Sequence, residues 1–486
     1  MEEFVNWLNS ILWSSPVVYI CLGVGLFFSV LTRFLQVRHV KEMIVLMFKG
    51  KSSKAGISSF QAMSVALSGR VGTGNIAGTA TAIAFGGPGA VFWMWAIGFI
   101  GASSAFVEST LAQIYKVKQD GQYRGGPAYY IEKGIGWKWF AVLFAFSALV
   151  AMSLLMPGIQ SYSIAVGLEN AFNINPSVTG VILVIIIGLI IFGGVKRIAN
   201  VAQYVVPFMA LAYILVSLVI IAINITELPG VISLIFKSAF ALDAAFGGIV
   251  GLAISWGVKR GIFSNEAGQG TGPHAAAAAE VSHPAKQGLV QSFSVYIDTL
   301  LVCSATAFMI LFTGMYNVQK PDETFLFQGL SGIAPGPGYT QAAIETFLPG
   351  FGAAFVGIAL FFFAFTTIMA YYYIAETNIA YLTFGKNNKL PMFVLKIVLL
   401  VATYLGAVRS FDLAWTLGDI GLGLMVWLNL IAIVILAKPA LKALKDYEEQ
   451  KSQGLDPVFN PEKLGIKNAD YWVNEYQQEE KEKQSS

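Results

Sequence analysis

Residues 68–78 read SGRVGTGNIAG, a run that interrupts a long apolar stretch with four glycines and with two side chains, Arg70 and Asn75, that hydrocarbon does not tolerate alone. Each glycine makes a helix less favourable by about 1 kcal/mol relative to alanine. Ser68 to Asn75 is therefore where a helix would open. An open helix exposes amide N–H groups at the start of one half, where the dipole favours an anion. It exposes carbonyl oxygens at the end of the other half, which suit a hard cation such as Na⁺. One motif can thus hold a carboxylate and supply part of a cation cage. Close packing of small residues would account for Ala77-Gly78-Thr79-Ala80. It does not account for Arg70 and Asn75, so the ligand-binding reading is preferred.

The elements that carry this run follow from composition. The chain has 486 residues, 56% of them hydrophobic and 12% charged, with mean hydropathy +0.65. A soluble protein carries about 25% charge; half that value leaves too few polar side chains to coat a globule. Apolar runs between turn signals give eleven candidate membrane spans, near 16–36, 58–84, 89–114, 139–168, 177–194, 200–223, 244–273, 288–314, 350–384, 391–408 and 411–437. The expected fold class is an all-α polytopic membrane protein. The first run follows a lysine-free, acidic start and precedes no small-residue cleavage site, so it is read as a retained span. Cys21 and Cys303 both lie inside apolar spans, which argues against a disulfide or a metal site.

Charge placement orients the spans. Arg38, Lys41, Lys49, Lys51 and Lys54 fill the first connection, and Lys116, Lys118, Arg124, Lys133, Lys138, Lys196, Arg197, Lys286, Lys386 and Lys389 fall in loops on the same side. The other side keeps Lys237, Lys320 and Arg409. The positive-inside rule then places the N-terminus outside and the tail in the cytoplasm. Residues 39–48 form an amphipathic connection, either along the membrane interface or as an ordinary loop helix. The organisation expected is residues 1–57 as the first span and its connection, 58–223 and 224–437 as two five-helix units, and 438–486 as a short charged cytoplasmic appendage.

The two units are related by an internal repeat. GRVGTGNIAGTAT at 69–81 and KRGIFSNEAGQGT at 259–271 match at a constant offset of 190, pairing Arg70 with Arg260, Asn75 with Asn265 and Gly78 with Gly268. Five spans separate the two copies, so the second enters the membrane from the opposite side. This predicts an inverted 5+5 repeat preceded by one extra helix, with broken helices meeting near the midplane.

Asp298 lies ~10 residues into the eighth span, roughly 15 Å deep at 1.5 Å per residue. A lone carboxylate there costs several kcal/mol and needs a partner or a role. Cation coupling, H⁺ coupling and an ion pair with Arg70, Lys259 or Arg260 all remain open. Asp419, Glu108 and Glu376 raise the same question, the last two nearer the cytoplasmic ends, where water would reach them. His39, His274 and His283 are not spaced as metal ligands, and no nucleophile triad, P-loop, dinucleotide fingerprint or nucleic-acid patch is present. An enzyme is disfavoured.

The sequence resembles the alanine or glycine:cation symporter family from its first span to its tail. The resemblance rests on ALSGRVGTGNIAGTATAIAFGGPGAVFWMW (66–95), YRGGPAYYIEKG (123–134), SWGVKRGIFSNEAGQGTGPHAAAAA (255–279), DTLLVCSAT (298–306) and YYYIAE (371–376). It implies a LeuT-like fold in a prokaryotic plasma membrane, with Na⁺, and sometimes H⁺, driving import of alanine or glycine and no organic cofactor. VGTGN (71–75) is also similar to the V-G-x-G-N of neurotransmitter:sodium symporters. There the glycine amides hold the substrate carboxylate and the Asn helps bind sodium. Arg70 departs from that pattern, which has a small, sodium-contacting residue at this position, and so argues against a sodium site of that kind at Asn75.

The resemblance assigns Gly72, Thr73 and Gly74 to the substrate carboxylate, with Asn75 as ligand, cation contact or helix-break cap. Gln160, after Pro157-Gly158, is within reach of the site. Trp256 either limits the pocket to a methyl-sized side chain or packs in the interior. The sodium site of a LeuT-like fold would fall on the carbonyls of Ser68 and Val71 and the hydroxyls of Thr366 and Thr367; the competing role for those hydroxyls is bonding back to their own helix. Asp298 and Arg70 are either coupling or structural charges. The rivals are a LeuT-like carrier of another small solute, an H⁺-driven carrier and a channel.

Overall fold

The computed structural model describes residues 2–242 and 246–476. Among the described residues, eight helical stretches are long and apolar enough to cross a membrane: Glu3–Leu31, Gly89–Ile114, Lys138–Phe172, Lys196–Ile223, Pro284–Thr313, Gly352–Leu382, Lys389–Ala407 and Asp412–Ile435. In hydrocarbon a helix satisfies every backbone group internally, so these runs have no competing conformation. Their outward faces carry the apolar side chains a lipid-facing surface needs, such as Phe146, Tyr204, Phe208 and Leu211.

The remaining expected spans differ from simple helices for local reasons. Segment 177–194 is the shorter helix Pro176–Ile191. Segment 58–84 is two pieces, Ser59–Arg70 and Gly74–Gly86, the second beginning as a π-helical turn over Gly74–Gly78. A capping box fixes its start: Ser58 Oγ accepts from Gln61 N–H, and Gln61 Oε1 accepts from Ser58 N–H. Segment 244–273 is also two pieces, Val250–Asn265 and Gly272–Ala277, of which residues 243–245 lie outside the described residues.

The two breaks are not equivalent in the way the 190-residue offset suggests. The first falls at 71–73, among glycines. The second falls at 266–271, five positions later in the repeat, where Glu266 (φ +55°), Gly268 (φ +79°) and Gly270 (φ +86°) adopt left-handed backbone. The matched positions 76–81 of the first copy are helical. Sequence identity therefore aligns Arg70 with Arg260 but does not align the openings.

Tight helix contacts surround the breaks. A side chain at Gly257 would meet Ala90 O at 2.5 Å, and one at Gly261 would overlap Ile97 Cγ2, so Val250–Asn265 lies directly on the Gly89–Ile114 backbone. At one face of the bundle the two broken elements are tied together. Ile57 N–H donates to Ala278 O at 3.0 Å, and Glu280 N–H donates to Ile57 O at 2.9 Å.

The tail is not a loose appendage. Beyond the helix Ala437–Ser452 the chain packs across this same face, burying Phe459, Tyr471 and Trp472. Trp472 Nε1 donates to Gln113 O, Phe459 N–H donates to Ser282 O, and Lys116 Nζ sits over the rings of Tyr123, Tyr471 and Trp472 at 4.2, 4.6 and 5.1 Å. The high charge of this segment concealed its aromatic anchors; residues 477–486 lie outside the described residues.

The buried His283 clamps the Ala437–Ser452 helix. Its Nδ1 accepts from Ala285 N–H at 3.1 Å, so Nε2 is the nitrogen that donates to Asp446 Oδ2 at 3.1 Å. Burial holds the imidazole below its ordinary range, against the counter-pull of Asp446. Its folded value being the lower one, the stability it contributes is present above the ordinary imidazole range of about 6.5 and is lost as pH falls below it. Limited proteolysis of the tail is expected to be several-fold faster at pH 5.5 than at pH 8, and His283→Gln should remove most of that difference. An equal pH effect in the variant would show that another group governs docking.

Candidate functional site

The first break is held open by side chains from its own second half and from two other helices. Gly72 N–H donates to Asn75 Oδ1 at 2.8 Å, and Thr73 N–H donates to Gln160 Oε1 at 3.1 Å. The Gln160 amide in turn donates to the Tyr371 hydroxyl at 3.2 Å. Thr367 Oγ1 lies 2.9 Å from Ser68 O and 3.0 Å from Phe363 O. Gly72 lets these groups converge, since a Cβ there would overlap Thr367 Oγ1 and stand 3.2 Å from Gln160 Oε1. Gly74 serves the other side, where a Cβ would meet Ser264 Cα at 2.9 Å.

Most of the expected site residues are thus brought together: Ser68, Gly72, Thr73, Gly74, Asn75, Gln160 and Thr367. Val71 terminates the Ser59–Arg70 helix beside them. Two residues stand elsewhere. The Thr366 hydroxyl returns to its own helix at Phe362 O and Phe363 O and faces Met209 Sδ, because it points about 100° around the helix from Thr367. Trp256 stacks on Phe85 at 4.7 Å and lies 5.1 Å from the Arg260 guanidinium, so it belongs to an aromatic–cation cluster. Phe263 stands 3.1 Å from the Cβ position of Gly74 and packs 5.4 Å from Trp415, which is 3.9 Å from the Cβ position of Gly78. Phe263 sits inside the second glycine-containing stretch, a signal that was available in the sequence; Trp415 carries none beyond being an aromatic in a span.

The buried charges pair differently from expectation. Asp298 meets neutral donors in place of Arg70, Lys259 or Arg260. It accepts from Asn75 Nδ2 at 2.6 Å, Ser264 Oγ at 3.0 Å and Thr299 Oγ1 at 2.8 Å, inside the π-helical stretch Tyr296–Cys303. Asn75 therefore bridges the first break to this carboxylate. Arg260 and Lys259 both meet Asp419, at 2.8 and 2.5 Å, which binds the second broken element to Phe411–Ile435. Arg70 donates to Gln291 O at 3.2 Å and to the Ser294 hydroxyl. Glu376 pairs with Arg124 at 3.2 Å. Glu108 is fully buried, not wet. It accepts from Gly268 N–H, Gly270 N–H and Asn429 Nδ2 at 3.3, 3.1 and 2.7 Å, and so fixes the second break to two long helices.

This arrangement presents a line of backbone amides and side-chain amide groups on one side of the first break. On the other side it presents the carbonyls of Ser68 and Phe363 with one hydroxyl. Among the described residues no cluster of three or more His, Cys, Asp or Glu could hold a metal ion. A cation here would be held by neutral oxygens, which suits an alkali ion and not a transition metal.

Known proteins share this chain's sequence along nearly its whole length. The chain is 75% identical to the putative sodium/proton-dependent alanine carrier protein YrbD of Bacillus subtilis, over 99% of each chain. It is 57% identical to the sodium/proton-dependent alanine carrier protein of Bacillus sp. (strain PS3), over 91% of this chain and 99% of that one. Among solved structures it resembles a mutant of the manganese transporter of Eremococcus coleocola, with TM-score 0.53 over 82% of this chain and 81% of that one; at 13% identity the likeness concerns the fold alone. The model of the sodium:alanine symporter family matches residues 1–461, and the chain belongs to that family.

Proposed function

We propose that this chain is a secondary active symporter that imports alanine, glycine or both, driven by Na⁺, through alternating access. In this reading the broken elements and Pro176–Ile191 join the eight long helices as membrane spans. Residues 58–223 and 224–437 form an inverted five-helix pair, with the N-terminus outside and the face that carries the tail in the cytoplasm of a prokaryotic cell. The observation that carries the reading is the opening at 71–73, where two amides meet Asn75 and Gln160 while Ser68 O meets Thr367 Oγ1.

Each group then has a role. The substrate carboxylate takes the amides of Gly72, Thr73 and Gly74, at the first two replacing the Asn75 and Gln160 oxygens that already accept there, so those two amides stay paired in hydrocarbon. Na⁺ takes Ser68 O, Val71 O, Phe363 O and Thr367 Oγ1, joining the first break to Gly352–Leu382. Phe263 and Trp415 cover the side-chain end of a small amino acid. Arg260, Lys259 and Asp419 lock the second broken element to Phe411–Ile435 on the outer side. The tail, with the ties at Ile57, closes the inner side.

The energetics suit a zwitterion, whose zero net charge makes the membrane potential alone unable to concentrate it. One Na⁺ moving inward across 100 mV releases about 2.3 kcal/mol, and a tenfold Na⁺ gradient adds about 1.4 kcal/mol. Together these sustain roughly 500-fold accumulation at one-to-one coupling.

In proteoliposomes, preloaded alanine should drive labelled alanine uptake in Na⁺ and not in choline; a channel would show no counterflow, and undiminished uptake in choline would remove Na⁺. Thr367→Val should raise the Na⁺ concentration for half-maximal uptake about tenfold, equivalent to about 1.4 kcal/mol. Thr366→Val should leave it within about twofold, and the reverse order would misplace the cation. Gln160→Ala should raise the KM for alanine about tenfold with a smaller change in the Na⁺ requirement, because the Gln160 side-chain NH2, held beside Thr73, is then lost as a donor to the incoming carboxylate. An unchanged KM would take Gln160 out of the substrate site.

A further inference from the structure

Three carboxyl groups, those of Glu108, Glu266 and Asp298, share the field of one buried guanidinium, Arg70. Holding all three ionised against a single cation in a water-excluded interior is unfavourable, so a proton belongs on one of them. Hydrogen bonding decides which, since donors aimed at a carboxylate favour its charged form. Asp298 receives three donors, from Asn75, Ser264 and Thr299. Glu108 also receives three, two of them backbone N–H groups. Glu266 receives one, from Thr271 Oγ1 at 2.8 Å, and its Oε1 has no partner among the described residues although the residue is only 2% exposed.

The other groups around Glu266 do not compete for that proton. His274 Nε2 accepts from Asn378 Nδ2 at 3.0 Å while Nδ1 donates to Thr271 O at 3.1 Å, which is the neutral imidazole with both nitrogens engaged. The Tyr371 hydroxyl accepts from Gln160, and the Tyr373 hydroxyl donates to His274 O. Arg70 Nε and Nη2 also lack partners, and Nη2 lies 2.7 Å from the Cβ position of Gly272.

Glu266 also stands at a place that opens and closes in an alternating-access cycle. It terminates the Val250–Asn265 helix in left-handed backbone, and its Oε2 would be 3.0 Å from a side chain at Gly69, in the last turn of Ser59–Arg70. Beside it lies a buried cavity of about 10 Å³ lined by Val65, Gly69, Thr271, Gly272, Ala370 and Tyr373. That is room for roughly one water molecule. It lies between the two half-helices whose far ends are tied at Ile57 and Ala278.

We propose that Glu266 is the proton-carrying group of the transport cycle, taking up one proton with the occluded substrate and releasing it when the half-helices Ser59–Arg70 and Gly272–Ala277 part. The O–H bond forms at Oε1 with a proton delivered by water from one side of the membrane and breaks to water on the other, with no change in oxidation state. The cavity can pass a proton by way of one water, and the neighbouring guanidinium repels a second metal cation and, by favouring the carboxylate, drives release of the proton once the half-helices part. This rests on the symporter reading above and adds to it the group that moves the proton.

The test uses the full-length protein in proteoliposomes with a trapped pH indicator. In the wild type, Na⁺-driven alanine entry should acidify the lumen, and counterflow should fall about fivefold as pH rises from about 6 to about 9. Glu266→Gln should keep counterflow while losing both the acidification and the pH dependence. Glu108→Gln should keep the pH dependence whatever its rate. Thr271→Val, which removes the one donor to the carboxylate, should shift the alkaline limb about threefold in proton concentration toward higher pH. This variant keeps the proposal testable if Glu266→Gln does not fold. A wild-type pH profile and acidification in Glu266→Gln, loss of both in Glu108→Gln, or no shift in Thr271→Val would overturn the proposal. Na⁺-driven uptake in the wild type without acidification would overturn it and leave the symporter reading standing. Absence of Na⁺-driven uptake would remove both.

Discussion

Backbone amides and carbonyls cannot be left bare in hydrocarbon, and the centre of this molecule is organised around that constraint. Opening a helix at 71–73 frees groups that elsewhere would bond within the helix. Two of the freed amides and one freed carbonyl are met by side chains. Asn75 reaches back to Gly72, Gln160 comes from Lys138–Phe172, and Thr367 comes from Gly352–Leu382. In the proposed transport reading, the groups that hold the break open are the ones a ligand exchanges with. The same constraint explains Glu108, whose carboxylate collects the amides freed at the second break.

Charge follows the same logic at a higher cost. Asp419 is matched by two cations, and Arg260 also lies 4.2 Å over the Trp415 ring. Asp298 relies on neutral donors, which makes it part of the polar lining of the first break. Removing one partner of a buried ion pair leaves a charge uncompensated, typically a loss of about 3–5 kcal/mol, whereas the intact pair itself contributes little net stability. These residues therefore constrain which helices stay together during a conformational change more than they stabilise the fold. Asp419 joins the second broken element to Phe411–Ile435, and Glu108 with Asn429 joins it to Gly89–Ile114 and again to Phe411–Ile435.

Close backbone approach supplies the remaining rigidity. The glycines at 257 and 261 seat one helix on another without a side chain of their own at the contact, and the loss of a methyl-sized space there would move the whole broken element. At the tail face, the ties at Ile57 and the aromatic anchors at Tyr471 and Trp472 are made by segments outside the long helices. This division leaves the interior to the polar groups of the site and puts the closing contacts at the surface.

How much of this was legible follows from which forces are local. The mostly helical membrane class, the positions of the long helices and the opening at Ser68 to Asn75 follow from hydropathy and glycine placement, which act over a few residues; the fold is not all-α as expected, because the short pairs Val117–Gln119 with Gln122–Arg124 and Asn317–Gln319 with Phe325–Gln328 form hairpins in the connections. The gathering of Gln160, Asn75 and Thr367 at that opening was legible only through resemblance, because no local signal says which helix will stand beside which. The partners of Asp298, the choice of Thr367 over Thr366 and the place of Trp256 were not legible. A side chain's direction around a helix turns by about 100° per residue, so one position decides whether a hydroxyl meets a carbonyl across an interface or returns to its own backbone. The second break falls inside the matched stretch 259–271 but five positions later than the first, because identical residues need not occupy equivalent backbone; left-handed Glu266, Gly268 and Gly270 set that opening, and Glu108 holds it. By itself the sequence determined that a membrane helix must open at 71–73, since glycine weakens a helix wherever it is placed. The tertiary structure alone decided which groups complete the opening and which carboxyl is left short of donors, because those partners lie far apart along the chain and meet only when the helices pack.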